Sequence, residues 1–231
     1  MLFNLLQMTT DAVEAIPQQE VMTFSLIEMA VKGGPLMIVL LILSILAIYL
    51  FGKKLWMIRQ FGKIYDGFME DIKDYLQEGK LKSAQMLCSH YNSPIARMVE
   101  AGLARTGRNT AEIQAAMENM GNIEINKLEK GLPYLATIAG GAPMIGFLGT
   151  VIGMIQAFFN MANAGNNIDI TLLSSGIYTA MVTTVGGLVV GILAYFGYNY
   201  LTARISNLAT MLDAATAKFL EFANGSTPKS E

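Results

Sequence analysis

The chain has 231 residues, of which 53% are apolar and only 15% charged, with a mean hydropathy of +0.42 and a formal net charge of −2. Soluble domains of this length carry more charge, so the composition points to a membrane protein. A single cysteine, Cys88, and a single histidine, His90, exclude an internal disulfide and fall two ligands short of a structural zinc site.

Met1 to Val21 lacks a basic start, and Asp11 and Glu14 interrupt its apolar stretch, so it reads as a short arm rather than a signal peptide. Val21 to Lys32 follows as an amphipathic helix at the outer interface, with Glu28 on its exposed side. Residues 1–34 thus form an outer segment, and Gly33-Gly34-Pro35 ends it with a break and a proline suited to a first helical turn. The first span occupies residues 35–52. Pro35 to Phe51 covers roughly 25 Å as a helix, and a few flanking residues complete the roughly 30 Å of a bilayer core. Lys53, Lys54, Trp56 and Arg59 anchor its exit.

Residues 53–131 read as a cytoplasmic helical domain. Trp56, Gln60, Tyr65, Phe68 and Ile72 keep helical spacing and predict that the first helix continues to Gly79. Leu81 to His90 and Ile95 to Thr106 are short helices separated by Asn92-Ser93-Pro94. Asn109-Thr110-Ala111-Glu112 resembles a capping box that opens a long helix running through Lys130 toward the next span. Cys88 and His90 are either an incidental pair or a stray metal or redox contact. No run of Lys and Arg is dense enough for nucleic-acid binding. No nucleophile elbow, phosphate loop or dinucleotide fingerprint occurs, so neither an enzyme nor a cofactor is expected.

Spans two and three, residues 132–160 and 172–201, are uncharged. A short loop, residues 161–171, joins them through the turn-forming run from Asn160 to Asn167. Residues 202–231 form a C-terminal helix and tail. Twelve of the sixteen basic residues lie between Lys53 and Lys130, three follow span three, and Lys32 alone precedes span one. The positive-inside rule therefore puts the N-terminus and the short loop outside and the C-terminus in the cytoplasm.

Ala142, Gly146, Gly149, Thr150 and Gly153 recur at steps of three and four and share one face of span two. Such a flat face packs closely in lipid, where no hydrophobic force draws helices together. Pro143 frees a backbone carbonyl one turn earlier. In span three Gly176, Ala180, Thr184, Gly187 and Gly191 form one small stripe, and Thr179, Thr183 and Gly186 form the adjacent one. Each threonine can simply bond back to its own helix; together, opposite Thr150, they can also line a narrow polar path.

These residues carry a resemblance. Leu135-Ala136-Thr137-Ile138, Ala142-Pro143 and Gly146-Phe147-Leu148-Gly149-Thr150-Val151-Ile152-Gly153 resemble the second-span signature of the MotA/TolQ/ExbB proton-channel family. The run from Gly176 to Leu188 resembles its third-span signature, and Lys32 to Pro35 and Ser93 to Arg97 resemble ExbB-like members. The likeness covers roughly residues 25 to 205, and three spans favour the TolQ/ExbB branch over four-span MotA. It implies an all-α, integral membrane fold with long helices extending into the cytoplasm, assembled as a ring, a pentamer. It also implies an inner membrane of a Gram-negative cell and a single-span ExbD- or TolR-like partner. Protons would drive motion passed to a TonB-like or Tol protein. By position Thr150 and Thr184 match the family's pore-facing threonines, and Thr179 stands where enteric members have a glutamate. Spans two and three hold no acidic residue, so the resemblance implies that the partner's transmembrane aspartate carries the proton, with Thr150, Thr179, Thr183 and Thr184 as lining. Pro143, Gly146, Gly149, Gly153, Gly176, Gly187 and Gly191 would pack the helices. TolQ-type envelope service and a non-conducting scaffold are the alternative functions.

Overall fold

A computed structural model describes residues 33–61, 67–91, 93–163 and 170–225. The expected outer arm and amphipathic helix, the centre of the short loop with Asp169, and the end of the tail lie outside the described residues. Seven helices make up the rest: α1 (Pro35–Phe61), α2 (Phe68–Gln77), α3 (Leu81–His90), α4 (Pro94–Leu103), α5 (Thr110–Glu129), α6 (Leu132–Asn163) and α7 (Ile170–Gly225). Three segments, within α1, α6 and α7, are long and apolar enough to cross a membrane. Outside their packed seams these segments expose large apolar side chains, among them Ile42, Phe147, Phe158, Leu193 and Phe196. A helix satisfies its own backbone, so such faces are at home in lipid.

The 56 residues of α7 would reach roughly 84 Å, far more than a bilayer needs. Its first part packs against α6 and α1, and its second part forms the axis of a helical domain. There is no separate C-terminal helix after Leu201; the backbone continues unbroken to Gly225. Around the far end of α7, at Leu212, Ala215 and Phe219, the short helices contribute Phe68, Ile72, Val99 and Met117 to a closed core. A second core joins Leu40 and Ala47 of α1 to Leu135, Ile138 and Ala142 of α6 and Ala194 and Leu201 of α7.

The expected continuation of the first helix to Gly79 is corrected. Helix α1 is described as far as Phe61, and α2 starts anew at Phe68 after a turn at Gly67. Gly67 stands in that turn, and glycine is a poor helix former. From there Phe68, Ile72 and Leu76 bury themselves in the domain core. Asn109 does cap α5, accepting a bond from the Ala111 amide at 3.1 Å. Glu112 pairs with Arg108 instead, at 3.4 Å. The path from α5 into α6 turns at Gly131, whose φ of +100° is open to glycine and costly for residues with a Cβ. Lys54 of α1 donates to the Lys127 carbonyl at 3.3 Å, satisfying one of the free acceptors at the end of α5.

Candidate functional site

Helices α6 and α7 form an antiparallel pair whose backbones touch. A Cβ on Gly187 would lie 2.5 Å from the Ala142 carbonyl oxygen, and one on Gly146 would lie 2.8 Å from that of Thr183. Further along, Gly153 meets Ala180 and Gly176 meets Ala157, each at 2.8 Å by the same measure. The stripe expected from the sequence is thus the contact itself. Gly191 makes room for the Pro143 ring, whose Cγ would stand 2.5 Å from an added Cβ. Proline cannot donate to the Ala139 carbonyl one turn earlier. That carbonyl turns to Gly191, 3.0 Å from the same Cβ position, where only a glycine lets it approach.

Two hydroxyls bridge this seam. Thr150 of α6 reaches the Ala180 carbonyl of α7 at 3.1 Å, and Thr184 of α7 reaches the Gly146 carbonyl of α6 at 3.1 Å. The hydroxyls of Thr150 and Thr184 also contact each other directly. Each has one proton, and besides a longer bond from Thr150 to the Gly146 carbonyl of its own helix at 3.5 Å, two arrangements satisfy the pair across the seam. Thr150 donates to Thr184 while Thr184 donates to Gly146, or Thr184 donates to Thr150 while Thr150 donates to Ala180. Both side chains are half-buried.

The remaining threonines are placed differently. Thr183 is buried against Gly149 and donates to the Ala180 carbonyl of its own helix at 2.8 Å. Thr179 lies toward α1, its methyl group 4.0 Å from the Cβ position of Gly34. Gly186 likewise faces α1, accommodating Met37. Of the four expected lining residues, the fold brings Thr150 and Thr184 together and sends Thr183 and Thr179 to separate environments.

An ionic cluster in the helical domain has no counterpart in the sequence reading. Glu124 of α5 is 1% exposed and receives Arg97 of α4 on both carboxylate oxygens, each at 3.1 Å, and Lys127 at 2.6 Å. Burial alone would raise its pKa, but the bonds from Lys127 and Arg97 outweigh that and hold the carboxyl below its ordinary value. The spacing of Glu124 and Lys127 was visible; the arrival of Arg97 was not. Nearby, Cys88 is buried in the domain core, and burial, helped by Glu100, pushes its thiol up to about 12. His90 is exposed. The two residues therefore face different surroundings, and a neutral thiol of this kind is inert. Among the described residues no group of three or more His, Cys, Asp or Glu could hold a metal.

Comparison with known proteins gives a consistent picture. The model of the MotA/TolQ/ExbB proton channel family matches residues 90–214, which include α4 to α6 and the threonine bridge. A putative biopolymer transport protein ExbB homolog of Methanothermobacter thermautotrophicus is 33% identical over 136 residues, 59% of this chain and 48% of the relative. ExbB-like protein 1 of Synechocystis, also a putative biopolymer transport protein, is 30% identical over 180 residues, 77% of this chain and 71% of the relative. The Tol-Pal system protein TolQ of Haemophilus influenzae is 28% identical over 156 residues, 68% of this chain and 65% of the relative. The match therefore spans about half of the archaeal relative and about two thirds of the other two.

Proposed function

Because the chain belongs to the MotA/TolQ/ExbB proton channel family, we propose that it is the multi-pass housing of a proton-driven, energy-transducing motor of the ExbB kind. In this reading several copies, five by family expectation, surround a single-span partner of the ExbD or TolR kind. The partner's membrane-embedded aspartate takes up and releases the proton, and the resulting motion is passed to a TonB-like protein in the envelope of a Gram-negative cell. This chain contributes no reaction chemistry of its own.

One observation carries the proposal. The seam of α6 and α7 offers the paired hydroxyls of Thr150 and Thr184, while no carboxylate lies between Gly131 and Ile168 or between Ile170 and Ala203. A hydroxyl pair can solvate a proton carrier by donating or accepting, but at ordinary pH it does not itself ionise. Intramembrane carboxylates are costly and functional where they occur. A housing that lacks one needs it from another chain.

The test is proton flux into vesicles containing this protein with or without its single-span neighbour. Flux is expected only from the pair. Flux of equal size from this protein alone refutes a partner-supplied carboxylate.

The similarity to TolQ supports a second reading of the same machine, coupled to envelope constriction rather than to uptake. Deleting the gene separates them. Loss of outer-membrane uptake with normal division favours the first, and defective envelope constriction with normal uptake favours the second.

A further inference from the structure

A crevice of about 390 Å³ opens between α1 and α7, at the end of the spans that carries the basic residues. That volume lies within the roughly 300–1,000 Å³ of small-molecule sites. Ser44, Ala47 and Phe51 form one wall, Val190, Ala194 and Gly197 the other, and Tyr200 closes the end. From Val190 to Tyr200 the crevice extends roughly 15 Å along α7, about half of a bilayer core and so one leaflet. Gly197 lets the Phe51 ring come close, since an added Cβ would stand 3.0 Å from it. The Phe51 and Tyr200 rings meet with centroids 6.4 Å apart.

At the Tyr200 end a basic side chain, Arg204, reaches the ring that closes the crevice. The Arg204 guanidinium sits over the Tyr200 ring at 5.3 Å and donates through Nε to its hydroxyl at 3.2 Å. Among the described residues no carboxylate pairs with Arg204. Helix α1 contains no Asp or Glu, and α7 contains none before Asp213. On these two helices the charges near this end, Lys53, Lys54 and Arg204, are all basic.

We propose that this crevice is a binding site for one acyl chain of an anionic phospholipid, whose phosphate is held at the Tyr200–Arg204 end. Three features favour a lipid over a helix of another copy. The crevice is about one leaflet long. Its rim carries bulky Ile48, Leu193 and Phe196, whereas helices in lipid associate through flat, small-residue faces. Its charge lies at headgroup height, beside a tyrosine of the interfacial belt. An arginine there suits a phosphate, which a guanidinium can bind through two parallel hydrogen bonds.

The full-length protein, reconstituted with its partner, provides the test. Trp56 is the only tryptophan, so Trp56→Phe with Phe196→Trp places one indole on the crevice rim. Its quenching is measured in vesicles of phosphatidylcholine containing increasing fractions of either dibromo-phosphatidylglycerol or dibromo-phosphatidylcholine. The phosphatidylglycerol probe is expected to bind about fivefold more strongly, the weight of one basic side chain near an anionic surface. Adding Arg204→Gln should reduce that ratio to near one. Adding Ser44→Phe, which fills the crevice, should weaken quenching by both probes. Equal binding of the two lipids by the parent refutes the headgroup site, and undiminished quenching in the filled variant refutes the acyl-chain site. An indole shielded from both probes means that a second copy or the partner covers the crevice, which also overturns the proposal.

Discussion

Arg97 of α4 places one amino group 3.1 Å from each carboxylate oxygen of Glu124 on α5, tying together two helices through residues 27 positions apart in the chain. The carboxylate is almost fully buried, whereas Arg97 keeps 36% of its side chain exposed and Lys127 keeps 54%. The charge that has lost its water is the anion, and the two cations replace that water. The pair fastens the short-helix domain to the helix that leads into α6.

Removing one partner from this arrangement is more damaging than neutralising the anion. Arg97→Met leaves a buried carboxylate with Lys127 alone and should destabilise the domain by roughly 2 kcal/mol, less than the about 3–5 kcal/mol of a fully buried pair. Glu124→Gln keeps the shape and leaves two cations that can reach solvent, so its cost should be about 1 kcal/mol. Thermal unfolding of the two purified variants in detergent compares them, and equal loss would contradict a buried, cation-dependent carboxylate.

The same carboxyl should make stability depend on acid. Its pKa in the folded protein lies below the ordinary value of 4.5. The folded state therefore binds this proton more weakly than the unfolded chain does. The resulting stabilisation is fully present above pH 4.5 and is lost as the pH falls through the folded value. Unfolding temperatures measured from pH 7 down to pH 3 should fall more for the parent than for Glu124→Gln, with the difference confined to the region below about pH 5.

The threonine bridge separates packing from lining. Thr150→Val and Thr184→Val keep the volume and remove a hydroxyl each. A single interhelical hydrogen bond in a membrane averages about 0.6 kcal/mol, so either variant should assemble normally. We expect each to reduce proton flux by tenfold or more when reconstituted with the partner, an order-of-magnitude figure for one lost polar group on a charge path. Full flux in both would leave the hydroxyls with a packing role only. Thr183→Val provides the internal control, because the Thr183 hydroxyl is spent on the Ala180 carbonyl of its own helix. It should conduct nearly as the parent does.

At Gly187 the question is backbone contact. An alanine Cβ would stand 2.5 Å from the Ala142 carbonyl oxygen and 2.8 Å from the Gly146 Cα, neither of which is the end of a flexible side chain. Gly187→Ala must therefore push α6 and α7 apart, at a cost of about 1–3 kcal/mol. Gly140→Ala, where a Cβ meets nothing within 4 Å, should be tolerated. Thermal stability of the two variants in the same detergent decides it.

Much of this architecture was legible in local features. A run of about 20 apolar residues has few fates other than a membrane, and glycines at helical spacing mark a close contact wherever they occur. The three spans, the α6–α7 pairing and the Asn109 cap follow from such rules acting over a few residues, whereas the turn at Gly131 was not read from them. The tertiary structure decided the rest. Whether a threonine hydroxyl turns to its own helix, as Thr183 does, or across the seam, as Thr150 and Thr184 do, depends on the register of two helices and on which carbonyls they bring within reach. The fresh start of α2 at Phe68 and the unbroken run of α7 depend on where the domain core needs Phe68 and Phe219. Arg97 and Glu124 gave no local sign of each other, because a charge pair across 27 residues has no periodicity to read. Contacts within one helix turn are set by the chain itself, whereas contacts between helices are set only once burial has fixed how those helices lie.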